Sequence, residues 1–163
     1  MSAGAPGAAF IVMGLLELQD APVDVCNLFH GELGGFGLFN EHGVPQKNYH
    51  ALRSFRRLLD TPRRAEARGG TPGQLALMAG LNATATEASA LLSNLARPSP
   101  DLWLAPINLP WRGPTVVETR LVDATHDFTV VRNVTNRTSS EVIPTTLKCP
   151  AVAWIHWQAA QGR

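Results

Sequence analysis

Three glutamates, Glu17, Glu32 and Glu41, invite a catalytic assignment. Hydrolysis by a carboxylate pair needs two such groups roughly 5 Å apart for a covalent mechanism, one as nucleophile and one as acid/base. Glu17 lies inside a helical pattern, where a helix-surface or helix–loop contact is the better reading. Glu41 sits in the turn Asn40-Glu41-His42-Gly43 and reads as solvated. Glu32 is the strongest of the three. It lies in His30-Gly31-Glu32-Leu33-Gly34-Gly35, whose glycines let backbone approach a ligand closely. A lone carboxylate supports substrate hydrogen bonding but not paired catalysis, so no residue is assigned a catalytic role. A site built from Glu32 and Glu41 together is the least favoured reading. The five histidines, His30, His42, His50, His126 and His156, lack the paired spacing that zinc uses. With no Gly-x-Ser-x-Gly and no phosphate-binding glycine loop, neither a metal nor a cofactor is expected.

The elements that would position Glu32 can be read from periodicity. Residues 8–19 form a helix that is apolar on nearly every side, so other protein must cover it. Asp20-Ala21-Pro22 stops it, because the residue before proline disfavours the α conformation. Residues 23–29 are a short apolar run suited to a buried strand, with Cys26 as a buried thiol. Phe36 to Phe39 resumes an apolar course before the turn. A second helix spans residues 49–59, with Ala51, Leu52, Phe55, Leu58 and Leu59 on one face and Arg53, Arg56 and Arg57 on the other, ending at Pro62.

Near residue 65 the helical period disappears. Strands are expected at residues 75–80, 87–94, 101–109, 115–123, 127–131, 142–148 and 151–157, separated by Asn-, Gly-, Pro- and Ser-rich turns that include residues 133–140. That pattern argues for an antiparallel sandwich. The change divides the chain into residues 1–66 and 67–163. The first part carries only one strand candidate, which cannot make a parallel sheet alone, so it reads as cut from something larger.

The bulk composition excludes several functions. A net charge of +1 provides no field for nucleic acid, and the short arginine run falls on and just after a helix, where a solvated face explains it. No stretch of about 20 apolar residues exists to span a membrane. The apolar run at 8–18 lacks a basic segment before it and a small-residue cleavage site after it, so it does not read as a signal peptide. Three N-glycosylation sequons begin at Asn82, Asn133 and Asn136 and are compatible with an extracellular or lumenal protein. Cys26 and Cys149 do not make a disulfide framework, although one bridge between them stays open. Trp103, Trp111, Trp154 and Trp157 are expected to fill the core or a domain seam, with Trp111 the likeliest exception.

Several stretches resemble glycoside hydrolase family 39 and its relatives, in order along nearly the whole chain. They are Gly7-Ala8-Ala9-Phe10 through Asp24; Gly37-Leu38-Phe39-Asn40 followed by Pro45-Gln46-Lys47-Asn48-Tyr49-His50-Ala51-Leu52; and Leu91-Leu92-Ser93-Asn94 with Val122-Asp123-Ala124-Thr125-His126-Asp127. The resemblance implies an α+β chain: the helix–strand–helix end of a (β/α)8 barrel at residues 1–66, then an accessory β-sandwich at 67–163. It implies a retaining enzyme acting on β-linked glycosides, with both catalytic carboxylates outside these residues. The loop after the eighth strand would face a carbohydrate substrate through His30, Glu32 and Phe36, with Asn27 also reaching the pocket. Phe36 stands where a tryptophan is more usual, which weakens any stacking on a sugar ring. The chain alone would be inactive, and its partners would be the missing barrel portion or further copies of itself, met through exposed apolar surface. The runner-up is a non-catalytic carbohydrate-binding or interaction module whose first 65 residues cap the sandwich.

Overall fold

The computed structural model describes residues 3–27, 31, 33, 37–97 and 101–160. Helix α1 spans Ala5–Leu18, with Pro6 in its first turn, where a missing N–H costs nothing. Its alanines, leucines and methionine are strong helix formers. Helix α2 spans Lys47–Arg56 and tightens into a 3₁₀ turn at Arg57–Asp60. Eight strands follow: β1 Arg63–Ala65, β2 Leu75–Leu81, β3 Glu87–Asn94, β4 Asp101–Leu104, β5 Thr115–Val122, β6 Asp127–Asn136, β7 Ile143–Thr146 and β8 Ala151–Ala159.

Six strands make one sheet in the order β1-β2-β3-β8-β5-β6, every pair antiparallel, and β4 pairs with β7 in a second sheet. The fold is therefore α+β with antiparallel sheets. Because side chains alternate between faces, β8 feeds two cores. Val152 and Trp154 join Leu91, Val122 and Phe128 beneath Ala8, Ala9, Val12 and Leu16 of α1 and Ala51 of α2. Ala151, Ala153, Ile155 and Trp157 face the other way, with Ala88, Ala90, Leu92, Val117, Ile143 and Leu147. The small residues of α1 let its backbone lie close to the sheet, and Ser93 Oγ donates to the Ala9 carbonyl at 2.6 Å. The cover expected for α1 is there, although Phe10 stays half exposed.

Several sequence expectations need correction. Residues 23–27 form no strand and are exposed, Val25 at 72%. No strand among the described residues lies alongside to take up their backbone groups. Cys26 is exposed for the same reason and forms no bridge with Cys149. The strand expected at 101–109 stops at Leu104, because Pro106 and Pro110 lack N–H groups and Asn108 turns the chain with φ of 56°. Strand β6 runs on to Asn136, so the turn expected from residue 133 begins later. On α2 the arginines are not all simply solvated. Arg53 lies over the Phe128 ring at 5.4 Å and Arg57 over the Trp154 ring at 5.8 Å. Leu59, expected on the apolar face, is exposed because the 3₁₀ turn rotates it away. Among the tryptophans the exposed one is Trp103, at 70%, while Trp111 packs on the second core and donates to Thr115 Oγ1 at 3.0 Å.

One glycine is required by packing. A Cβ on Gly80 of β2 would lie 2.1 Å from the carbonyl oxygen of Thr61, where the chain descends from α2 onto the sheet. Neither partner is a movable side-chain end. Gly80→Ala is expected to cost about 1–3 kcal/mol through overpacking, read as a lower urea midpoint at unchanged m-value. A midpoint equal to the parent's would mean that this close approach does not constrain the fold.

Candidate functional site

Of the four residues assigned to the substrate pocket, His30, Glu32 and Phe36 lie outside the described residues. Asn27 is described and is exposed, in the irregular stretch before them. Phe39 bridges Leu33 in the parallel sense and Pro45 in the antiparallel sense. Asn40 Oδ1 accepts the backbone N–H groups of His42 and Val44, each at 2.9 Å, and Gly43 completes the turn with φ of 74°. The Gln46 N–H donates to the Leu38 carbonyl at 2.8 Å, and the Phe39 ring tilts against Tyr49 at 5.4 Å. This clasp fixes where the loop lands and starts α2.

The base of α2 is pinned to the sheet by an interaction that sequence reading missed. Lys47 Nζ pairs with Asp127 at 2.8 Å and donates to the His126 carbonyl at 3.0 Å. The residues are about 80 apart in the chain, so no local pattern announces the contact. Next to them Asp123 Oδ1 accepts N–H groups from Thr125 at 2.8 Å and His126 at 2.9 Å, and contacts His126 Nδ1 at 2.9 Å. Burial pushes the Asp123 carboxyl up, but these hydrogen bonds outweigh it and hold the group below the usual carboxylate range. The Asp123–His126 pair is a turn lock rather than a reactive dyad, since its bonds close on its own backbone.

His50, on α2 beside this tie, carries its own signature. Burial lowers its pKa, Asp127 opposes that, and the Arg53 and Lys47 charges add to the lowering. The folded imidazole therefore stays neutral where the unfolded one takes a proton. Its contribution to stability is whole above about 6.5 and is lost as pH falls through the folded value. Denaturant midpoints of the parent and of His50→Gln should converge as the medium is acidified below that value. Midpoints that stay parallel would show that His50 is not linked to folding.

The remaining glutamates behave as their sequence positions implied. Glu17 accepts the Gly73 N–H at 3.3 Å, a helix–loop contact, and Glu41 is solvated beside His42. Among the described residues no group of three or more His, Cys, Asp or Glu side chains could hold a metal ion, and no helix is long and apolar enough to cross a membrane. The three sequons differ in access. Asn133 is exposed on β6, Asn136 is buried, and the Asn82 amide is tied into its own turn through Thr86 and Glu87.

In fold the chain is similar to a glucosidase from Croceicoccus marinus, at 20% identity and a TM-score of 0.78, covering 94% of this chain and 42% of that one. It is also similar to a glycoside hydrolase family 30 endoxylanase from Clostridium papyrosolvens, at 12% identity and a TM-score of 0.65, covering 97% of this chain and 39% of that one. A family 30 subfamily 8 xylanase from Clostridium acetobutylicum matches at 10% identity and a TM-score of 0.62, covering 98% of this chain and 40% of that one. The chain spans about two fifths of the length of each. At these identities the likeness is one of fold, and it is a glycosidase-related fold. These structures do not single out family 39. No family model matches the sequence, and none of the curated proteins matches it.

Proposed function

We propose that this chain is the C-terminal portion of a glycoside hydrolase that cleaves β-linked glycosides with retention, through a covalent glycosyl-enzyme. Residues 1–66 would be the closing segment of its (β/α)8 barrel and residues 67–163 its accessory β-domain. The observation that carries the reading is the glucosidase match, which takes in almost all of this chain but under half of the other. Six large apolar side chains before residue 60 are exposed among the described residues: Phe10, Val23, Val25, Leu33, Val44 and Leu59. A remaining barrel would cover such surface, and without it self-association is the expected consequence. On this reading the loop with His30, Glu32 and Phe36, and Asn27 before it, forms one edge of the sugar pocket. Glu32 accepts a substrate hydroxyl there, while the nucleophile and acid/base come from strands that these 163 residues do not contain. The exposed Asn133 sequon supports an extracellular or lumenal setting.

The purified chain should not turn over aryl β-glucosides or β-xylosides. A chimera in which it replaces the matching part of the Croceicoccus marinus glucosidase should do so, with a raised KM when Glu32 is changed to Gln. A soluble, folded chimera without activity counts against the reading. Turnover by the chain alone that Glu32→Gln abolishes sinks it, because that places the chemistry within these residues.

A further inference from the structure

The two sheets are unequal, one of six strands and one of two. A groove of about 680 Å³ lies between β2 and β3 of the larger sheet and the segment that starts at Trp103 of β4 and runs to Pro110. Leu77, Ala79, Leu81, Ala88 and Ala90 of those two strands form an apolar part of its lining. The charged residues on its rim, Glu66 and Arg68, pair with each other.

The register of the small sheet shows what its edges offer. Trp103 lies opposite Pro144. In an antiparallel ladder, pairs that exchange two hydrogen bonds alternate with pairs that exchange none. Proline has no N–H to exchange, so Trp103↔Pro144 is a non-bonded pair. The backbone N–H and C=O of Trp103 therefore point away from β7, toward the free edge of β4. On the outer edge of β7 the same position is Pro144, which has no donor to present. Of the two edges of this sheet, β4's has no partner strand among the described residues and β7's is blunted. The chain after Leu104 does not fold back onto β4, because Pro106 and the positive φ of Asn108 carry it away. Trp103 and Ile107 stand exposed beside the edge, at 70% and 77%. The Trp157 side chain borders the groove.

We propose that β4 is an acceptor edge. An extended polypeptide segment from outside these residues, apolar at alternate positions, adds to it as a third strand of the small sheet and fills the groove. Its inward side chains cover the alanine and leucine floor, and its backbone satisfies Trp103. Strand addition of this kind draws affinity from main-chain bonds and specificity from alternate side chains. A strand rather than a sugar is favoured by the main-chain groups that Trp103 presents, and a sugar chain is an outcome of the test. The inference does not depend on the glycosidase reading, and the two are tested by separate measurements.

The test uses the full chain and a panel of end-blocked peptides about six residues long, alternating Thr with Val, Leu or Ala. Amide hydrogen exchange and tryptophan fluorescence provide the readouts. At least one peptide should bind saturably and slow exchange at the Trp103 amide on the order of tenfold. The same peptide N-methylated at its bonding positions should not. Ala79→Glu, which charges the floor without touching β4, should weaken binding by a similar factor. The proposal is overturned if no peptide in the panel slows that amide. It is also overturned if xylo- or cello-oligosaccharides occupy the groove instead, or if the amide is already protected by a concentration-dependent dimer of the chain.

Discussion

Trp154→Ala is expected to lower the free energy of unfolding by about 3–5 kcal/mol, the range for removing a buried tryptophan from a core. Trp154 lies on β8 in the middle of the larger sheet and is almost wholly buried. Its ring stacks on His156 at 5.2 Å, meets Phe128 at 6.1 Å and lies under the Arg57 guanidinium. No neighbour on a rigid sheet can collapse into the space it leaves, so both transfer and cavity terms apply. Chemical denaturation followed by far-UV dichroism measures the loss, and a second probe on the helices asks whether the chain melts as one unit. Coincident transitions would show that α1, α2 and the sheet share a single cooperative core. Two separated transitions, with only one moved by the substitution, would show that the helices and the sheet unfold independently.

Asn94→Ala should be nearly as damaging, at about 2–4 kcal/mol, by a different mechanism. Asn94 ends β3 and is fully buried. Its Nδ2 donates to the Leu147 carbonyl at 2.7 Å and its Oδ1 accepts the Ala96 N–H at 2.9 Å. The first bond ties the main sheet to the segment leaving β7, and the second fixes the direction in which the chain leaves β3. Alanine removes both partners and leaves a buried carbonyl and a buried N–H without water. Asn94→Asp separates the two effects, because it keeps an acceptor for Ala96 and sets an oxygen against the Leu147 carbonyl. If Asn94→Ala cost no more than an exposed substitution, these two bonds would contribute nothing net to the fold.

Much of the secondary structure is legible in the chain because its signals are local. The run of alanine and leucine between Pro6 and Pro22 makes α1, and the continuous apolar run from Leu75 to Leu81 and the alternation that opens at Thr115 make two of the strands. The boundaries failed where a turn signal and a strand signal overlapped. Asn133 and Asn136 look like turn residues, yet pairing with β5 holds them in β6. Residues 23–27 failed in the opposite sense. Their apolar pattern is that of a buried strand, but a strand exists only when a neighbour takes up its N–H and C=O groups, and none of the described strands does. The exposed thiol of Cys26 and the exposed Asn27 follow from that one absence.

By itself the sequence determined the two helices and the spacing of the seven longer strands, because period and proline stops are properties of neighbouring residues. Only the tertiary structure decided that the last strand, β8, enters between β3 and β5 and buries both its faces. It alone set Lys47 against Asp127, exposed Trp103 rather than Trp111, and placed the segment after β4 beside an apolar groove. Those outcomes depend on which strand pairs with which and in what register. Such pairing joins residues far apart in the chain, and a local pattern carries no record of it.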